Sequence, residues 1–97
     1  MVEIVKSAIF AKWLSGLRDK KAQRRIVKRL EHIENGNFGD CTPIGGGLSE
    51  VRIHYGPGYR LYFMRRGARI IVLLCGGDKG SQKRDIAKAK QLAEQWR

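Results

Sequence analysis

The stretch L-S-E-V-R-I-H-Y-G-P-G-Y-R-L-Y-F, Leu48 to Phe63, decides the fold. Leu48–Tyr55 alternates, with Val51 and Ile53 on one side and Glu50, Arg52 and His54 on the other. That is the period of a strand with one apolar face. Gly56-Pro57-Gly58 is a turn, because proline fixes its own φ and glycine frees the left-handed region. Tyr59–Arg65 alternates again: Leu61 and Phe63 face one way, Arg60, Tyr62 and Met64 the other. The two runs read as an antiparallel hairpin. If its apolar residues point into a core, Arg52, His54, Arg60 and Tyr62 share the opposite face.

Downstream, Arg66-Gly67 turns into Arg69–Cys75, whose run Ile70–Leu74 is apolar on both faces and reads as a central strand. Gly76-Gly77 is expected to break it, and Ser81 to cap a last helix carrying Ile86, Ala89, Leu92, Ala93 and Trp96. Upstream, Asn37–Gly47 is rich in Gly, contains Pro43 and reads as a loop. Before it, Ala22, Ile26, Leu30 and Ile33 form the apolar stripe of a helix capped by Asp19 and closed by Asn35-Gly36. Ile9, Phe10, Trp13, Leu14 and Leu17 form an earlier helix behind Ser7, and Val2 and Ile4 a short first strand. The order is β-α-α-β-β-β-α. The fold class is α+β, one domain over residues 1–97, with an N-terminal helical hairpin, a C-terminal helix and a mostly antiparallel sheet whose helices are expected on one face.

Charge narrows the function. Twenty Lys and Arg against nine Asp and Glu give a net charge of +11, and 42% hydrophobic residues are enough for a packed core. A folded domain so one-sided points to an acidic partner, nucleic acid before protein. Lys20, Lys21, Arg24, Arg25, Lys28 and Arg29 crowd the polar face of the second helix, more than solvation needs and suited to an RNA backbone. No apolar run is long enough to span a membrane, and the apolar stretch at the N-terminus is too short for a signal peptide; a cytoplasmic location follows as the expectation. Cys41 and Cys75 are too far apart and too poor in His neighbours to hold zinc by themselves.

Gly45-Gly46-Gly47 and Gly76–Ser81 lack the spacing of a nucleotide-binding P-loop, and the scattered carboxylates offer no pair for Mg²⁺. No metal or other cofactor is expected. Chemistry that needs neither is attack of an RNA 2′-hydroxyl on its adjacent phosphate. It requires a base, cations for the charge on the phosphorane, and an acid for the departing 5′-oxygen. Arg52, Arg60 and Lys79 are candidates for the cations, and His54 for proton transfer, imidazole being the side chain that intrinsically titrates in the working range. Tyr59 and Tyr62 are candidates for stacking on bases. Each also has a plainer role open to it: Arg52 as partner of Glu50, His54 as a surface residue, the tyrosines as core edge.

Five stretches carry a resemblance: F-A-K-W-L-S-G-L-R-D (Phe10–Asp19), R-I-V-K-R-L (Arg25–Leu30), G-N-F-G-D (Gly36–Asp40), the hairpin Leu48–Phe63, and L-L-C-G-G-D-K-G-S-Q-K-R-D-I (Leu73–Ile86). Together they resemble the addiction-module killer proteins of the RelE/ParE superfamily, most of all its HigB-like members. The resemblance implies a toxin of a type II toxin–antitoxin system, paired with an antitoxin that often carries a helix-turn-helix domain. It implies an endoribonuclease, an mRNA interferase that cuts mRNA on the ribosome and inhibits translation. By position, Arg52, Arg60 and Lys79 match the basic residues of that activity. The Tyr or His that commonly follows the last of these is missing, since Gly80-Ser81-Gln82-Lys83 stands there, and His54 or Tyr62 would have to substitute. The alternative is a ParE-like toxin that inhibits DNA gyrase without cutting RNA.

Overall fold

Strand β1 (Glu3–Lys6) leads into helices α1 (Ala8–Ser15) and α2 (Lys20–Glu34). Four strands follow, β2 (Cys41–Gly45), β3 (Leu48–Ile53), β4 (Tyr59–Arg66) and β5 (Ile70–Asp78), and then helix α3 (Gln82–Ala93). The computed structural model describes residues 1–97. Its sheet has five strands in the order β1-β5-β4-β3-β2, antiparallel throughout except where β1 lies parallel to β5. The architecture is α+β in a single domain. No helix is long and apolar enough to cross a membrane.

Ser7 and Asp19 cap α1 and α2 as the sequence predicts, whereas Ser81, at the start of α3, makes no side-chain cap bond and donates to Asp85 instead. Ser7 Oγ accepts from the Phe10 amide at 3.0 Å and itself donates to the Leu74 carbonyl at 2.7 Å, so one hydroxyl starts α1 and ties it to β5. Asp19 accepts from the amides of Lys21 and Ala22 at the start of α2. The stripe Ala22, Ile26, Leu30 and Ile33 is buried, at no more than 5% exposure. Each fully buried Ile or Leu contributes roughly 1.5–3 kcal/mol relative to leaving it in water.

Three expectations are corrected. The stretch Asn37–Gly47 is not all loop, because Cys41–Gly45 forms the edge strand β2 against β3, with Cys41 opposite Val51 and Pro43 opposite Ser49. Proline is tolerated there because an edge strand leaves one row of backbone groups unpaired. Gly45, Gly46 and Gly47, with φ of 91°, 64° and 79°, then make a turn that L-residues would strain to follow.

Secondly, Gly76-Gly77 does not end β5, which runs to Asp78. The two glycines make room for neighbours on opposite faces of the strand. A β-carbon on Gly76 would collide with the Trp13 ring, and one on Gly77 with the Asp85 carboxylate. Thirdly, the helices do not share a face. α1 and α2 cover one side, where Phe10, Ile26, Leu30 and Ile33 meet Val51, Ile53, Leu61, Phe63, Ile71 and Leu73. α3 covers the other, where Ala89, Leu92 and Ala93 meet Leu48, Tyr62, Met64, Val72 and Leu74. A sheet clad on both faces explains why β5 is apolar on both.

Candidate nucleic-acid interface

The outer face of α2 forms one wall of an open groove of about 650 Å³. Its lining is Lys21, Arg24, Arg25, Lys28, Arg29, His32, Ile53 and His54, with no acidic side chain among them. Helical spacing makes this wall, since residues three and four apart stack along one face. Arg25 lies over the Tyr55 ring at 4.5 Å, and the Tyr55 hydroxyl donates to Asp19 at 3.0 Å. That bond to Asp19 pushes the Tyr55 hydroxyl above its ordinary value. Arg29 does a different job. Its guanidinium donates to the carbonyls of Arg52 (2.8 Å), Phe38 (3.1 Å) and Asp40 (3.2 Å), clamping α2 to β3 and to the segment before β2.

His54 lies just past the end of β3, on the groove, with its Nε2 2.6 Å from an Asp40 oxygen and its side chain 76% exposed. The hydrogen bond from His54, helped by the charges of Arg52 and Arg29 and opposed by slight desolvation, holds the Asp40 carboxyl below its usual range. Asp40 orients the imidazole, a pairing across fourteen positions that no spacing rule signals.

Arg52 and Arg60 are elsewhere, on the α3 side of the sheet. They are register partners on β3 and β4, as the hairpin alternation requires. Between them sits Glu50, 1% exposed, which accepts from Arg52 at 3.0 Å, Arg60 at 2.8 Å and Gln82 at 2.9 Å. Burial raises the Glu50 carboxyl, but the bonds from Arg52 and Gln82 and the Arg60 charge outweigh it, and the net shift is downward. Arg60 is only 12% exposed, and its Nε has no partner. Tyr62 is fully buried, its hydroxyl also without a partner.

The hairpin face is therefore no open surface. The alternation placed Arg52, Arg60 and Tyr62 on one side correctly, but α3 covers that side, so the Tyr62 ring is packed in a core rather than free to stack. Lys79 is exposed in the turn that follows β5, beside Gly58. Tyr59 is half-buried, edge-on to Trp13 at 6.2 Å. The structure thus brings His54 together with Lys21, Arg24, Arg25 and Lys28, and leaves Lys20 exposed outside that lining. It keeps Arg52 and Arg60 together on the other face.

These features define a small, strongly basic α+β protein with an open groove lined by cations. The chain belongs to the phage-derived Gp49-like protein family (DUF891), whose model matches residues 12–96. This family is associated with toxin–antitoxin modules, which makes an antitoxin protein the expected partner. The chain is also similar to an uncharacterised protein of Haemophilus influenzae (strain Rd), 39% identical over 94 residues that cover 97% of this chain and 95% of the relative.

Proposed function

We propose that the chain is the toxin of a type II module, HigB-like within the RelE/ParE superfamily, and acts as a metal-independent, ribosome-dependent mRNA endoribonuclease. The observation that carries this reading is the groove of five Lys and Arg side chains and two histidines without a lining carboxylate. Such a surface holds consecutive phosphates of a single strand. In the reaction the RNA 2′-oxygen bonds to the adjacent phosphorus and its proton passes to a base; the P–O5′ bond breaks and O5′ takes up a proton. His54, oriented by Asp40, is suited to the proton transfers. The countercharges beside His54 are the cations that share its groove, Lys21, Arg24, Arg25 and Lys28; Arg52 and Arg60, held by Glu50 on the α3 face, and Lys79, after β5, lie outside that lining. The reading places the protein in the cytoplasm with mRNA and the ribosome, restrained by an antitoxin of helix-turn-helix type.

Primer extension on translated mRNA after induction tests it: new 5′ ends are expected within minutes, and their absence overturns the reading. One observation favours a second reading. Glu50 engages the guanidiniums of both Arg52 and Arg60 and offsets part of their charge, which suits a toxin that binds without cutting, as a gyrase inhibitor does. Induced double-strand DNA breaks without new RNA ends would select it.

A further inference from the structure

A second cleft, of about 470 Å³, shares no lining residue with the α2 groove. It opens because β1 pairs with β5 only as far as Leu73, leaving the continuation Gly76–Asp78 to line a cleft instead of another strand. Trp13 packs onto Gly76 and meets Tyr59 edge-on, and with Leu17 and Pro57 they give the cleft aromatic and apolar walls. Asp85 lies against Gly77 and is 8% exposed. One of its oxygens accepts from the Ser81 hydroxyl at 2.5 Å; the other has no protein partner, and the carboxylate forms no ion pair. Arg84 and Lys88, also in the lining, are exposed.

Asp85 stands in the first turn of α3, where the helix N-terminus favours its charge, and Ser81 bonds one of its oxygens; the other lines the cleft free to accept from a ligand. Gly77 is needed to accommodate the carboxylate, so the position is built rather than incidental. Such a group at the floor of a cleft marks a binding site. Its charge order is specific: an acid inside, aromatic rings along the walls, two cations outside. The matching ligand has a flat ring, two adjacent N–H donors on its leading edge, and an anion behind. Guanine offers N1–H and its exocyclic amine side by side, whereas adenine presents an acceptor at that place. An arginine side chain of a protein would bring a similar donor fork, but no anion, and Arg84 and Lys88 would repel it.

We propose that this cleft is a pocket for a splayed guanine nucleotide, with Asp85 reading the base edge, Trp13 and Tyr59 contacting the ring, and Arg84 and Lys88 holding the phosphate. The choice of an RNA nucleotide rests on the RNA-directed reading above. The site would make the protein prefer guanine next to the phosphodiester it engages.

The test is isothermal titration of the full chain with guanosine 5′-monophosphate and adenosine 5′-monophosphate, with the Trp13 indole N–H resonance as local reporter. The guanine nucleotide should bind about 10-fold more tightly, the lower end of what a direct base contact gives, and should shift the Trp13 signal. Asp85→Asn should remove the preference, while Arg84→Ala with Lys88→Ala should weaken both nucleotides alike and keep it. If Asp85→Asn does not fold, the two-nucleotide comparison on the natural chain still decides. Equal binding of the two nucleotides, no binding at millimolar concentration, or tighter binding of an arginine peptide through Asp85 overturns the proposal. New RNA ends without guanine binding would remove this site alone; guanine binding without RNA ends would remove the nuclease reading alone.

Discussion

The groove along α2 and the sheet surface beneath the start of α3 both carry basic side chains, but only in the second is much of their charge offset by a carboxylate. In the groove, Lys21, Arg24, Arg25 and Lys28 project from a helix with no carboxylate among the lining residues, so their charges are available to a partner. Under α3, Arg52 and Arg60 converge on one buried carboxylate, Glu50, and much of their charge is spent inside the fold. Guanidinium is useful in both settings because it stays charged and bonds bidentately. What separates the two is burial. An exposed cation adds little to stability and much to long-range attraction, whereas a buried one must be matched or the fold fails.

The largest effect that tests this contrast is expected at Glu50. Glu50→Ala leaves the nearly buried Arg60 without its countercharge and should destabilise the protein by about 3–5 kcal/mol, read from urea unfolding midpoints. A loss below about 1 kcal/mol would mean that the guanidiniums reach water and belong with the groove after all. Acid adds a second readout. The Glu50 carboxyl is depressed below its ordinary value of 4.5 in the folded state. Its contribution is therefore complete above that value and is lost as pH falls through the lowered one. Glu50→Gln should remove that part of the acid limb, so the gap between mutant and natural chain should narrow from neutral pH toward pH 3.

The next effect lies on the other side. Replacing Lys21, Arg24, Arg25 and Lys28 together with Ala should weaken single-stranded RNA binding about 100-fold at low salt. It should also flatten the dependence of log K on log salt by about 3, since each lost phosphate contact removes about 0.7. The unfolding midpoint should move little. Unchanged RNA affinity with an intact fold would transfer the binding role to another surface.

How far these two regions were legible in the sequence follows from what periodicity can encode. The stripe Ala22, Ile26, Leu30, Ile33 and the alternation of Leu48–Phe63 each report which side of an element is apolar, and both match the structure except at His54, which follows the end of β3 and lines the α2 groove instead of sharing a side with Arg52. Periodicity says nothing about what covers the other side. The face of the hairpin that carries Arg52, Arg60 and Tyr62 looked polar and open, yet Tyr62 and Met64 on it pack beneath α3. The apolar run Ile70–Leu74 held the clue, because a strand apolar on both faces needs two covers. Gly76-Gly77 misled for a related reason: glycine marks a chain break or a close approach, and only the positions of Trp13 and Asp85 distinguish them. Strand β2 was hidden by Pro43 and three glycines, which are local signals outweighed by pairing with β3. In the site, the cations of α2 were legible from spacing. The pairing of His54 with Asp40 and of Arg52 and Arg60 with Glu50 depends on contacts between elements, which spacing does not fix.

The smallest expected effect settles the placement of Tyr62. Its ring fills the core under α3 while its hydroxyl has no partner, and burial, with the nearby charges of Glu50 and Asp85, keeps that hydroxyl protonated far above the ordinary tyrosine range. A buried hydroxyl left unbonded costs about 1–3 kcal/mol, so deleting it while keeping the ring should not weaken the fold. Tyr62→Phe is therefore expected to leave stability unchanged or raise it by about 1 kcal/mol, and to leave RNA affinity where it was. A variant that folds as well but binds or cuts RNA less would show that the hydroxyl reaches a ligand, which requires α3 to move away from the sheet. In that event the two regions would be two conditions of one surface, with α3 as the cover. With unchanged affinity, the division holds at its most ambiguous residue: Tyr62, an aromatic side chain on the hairpin that could have belonged to either region, belongs to the core.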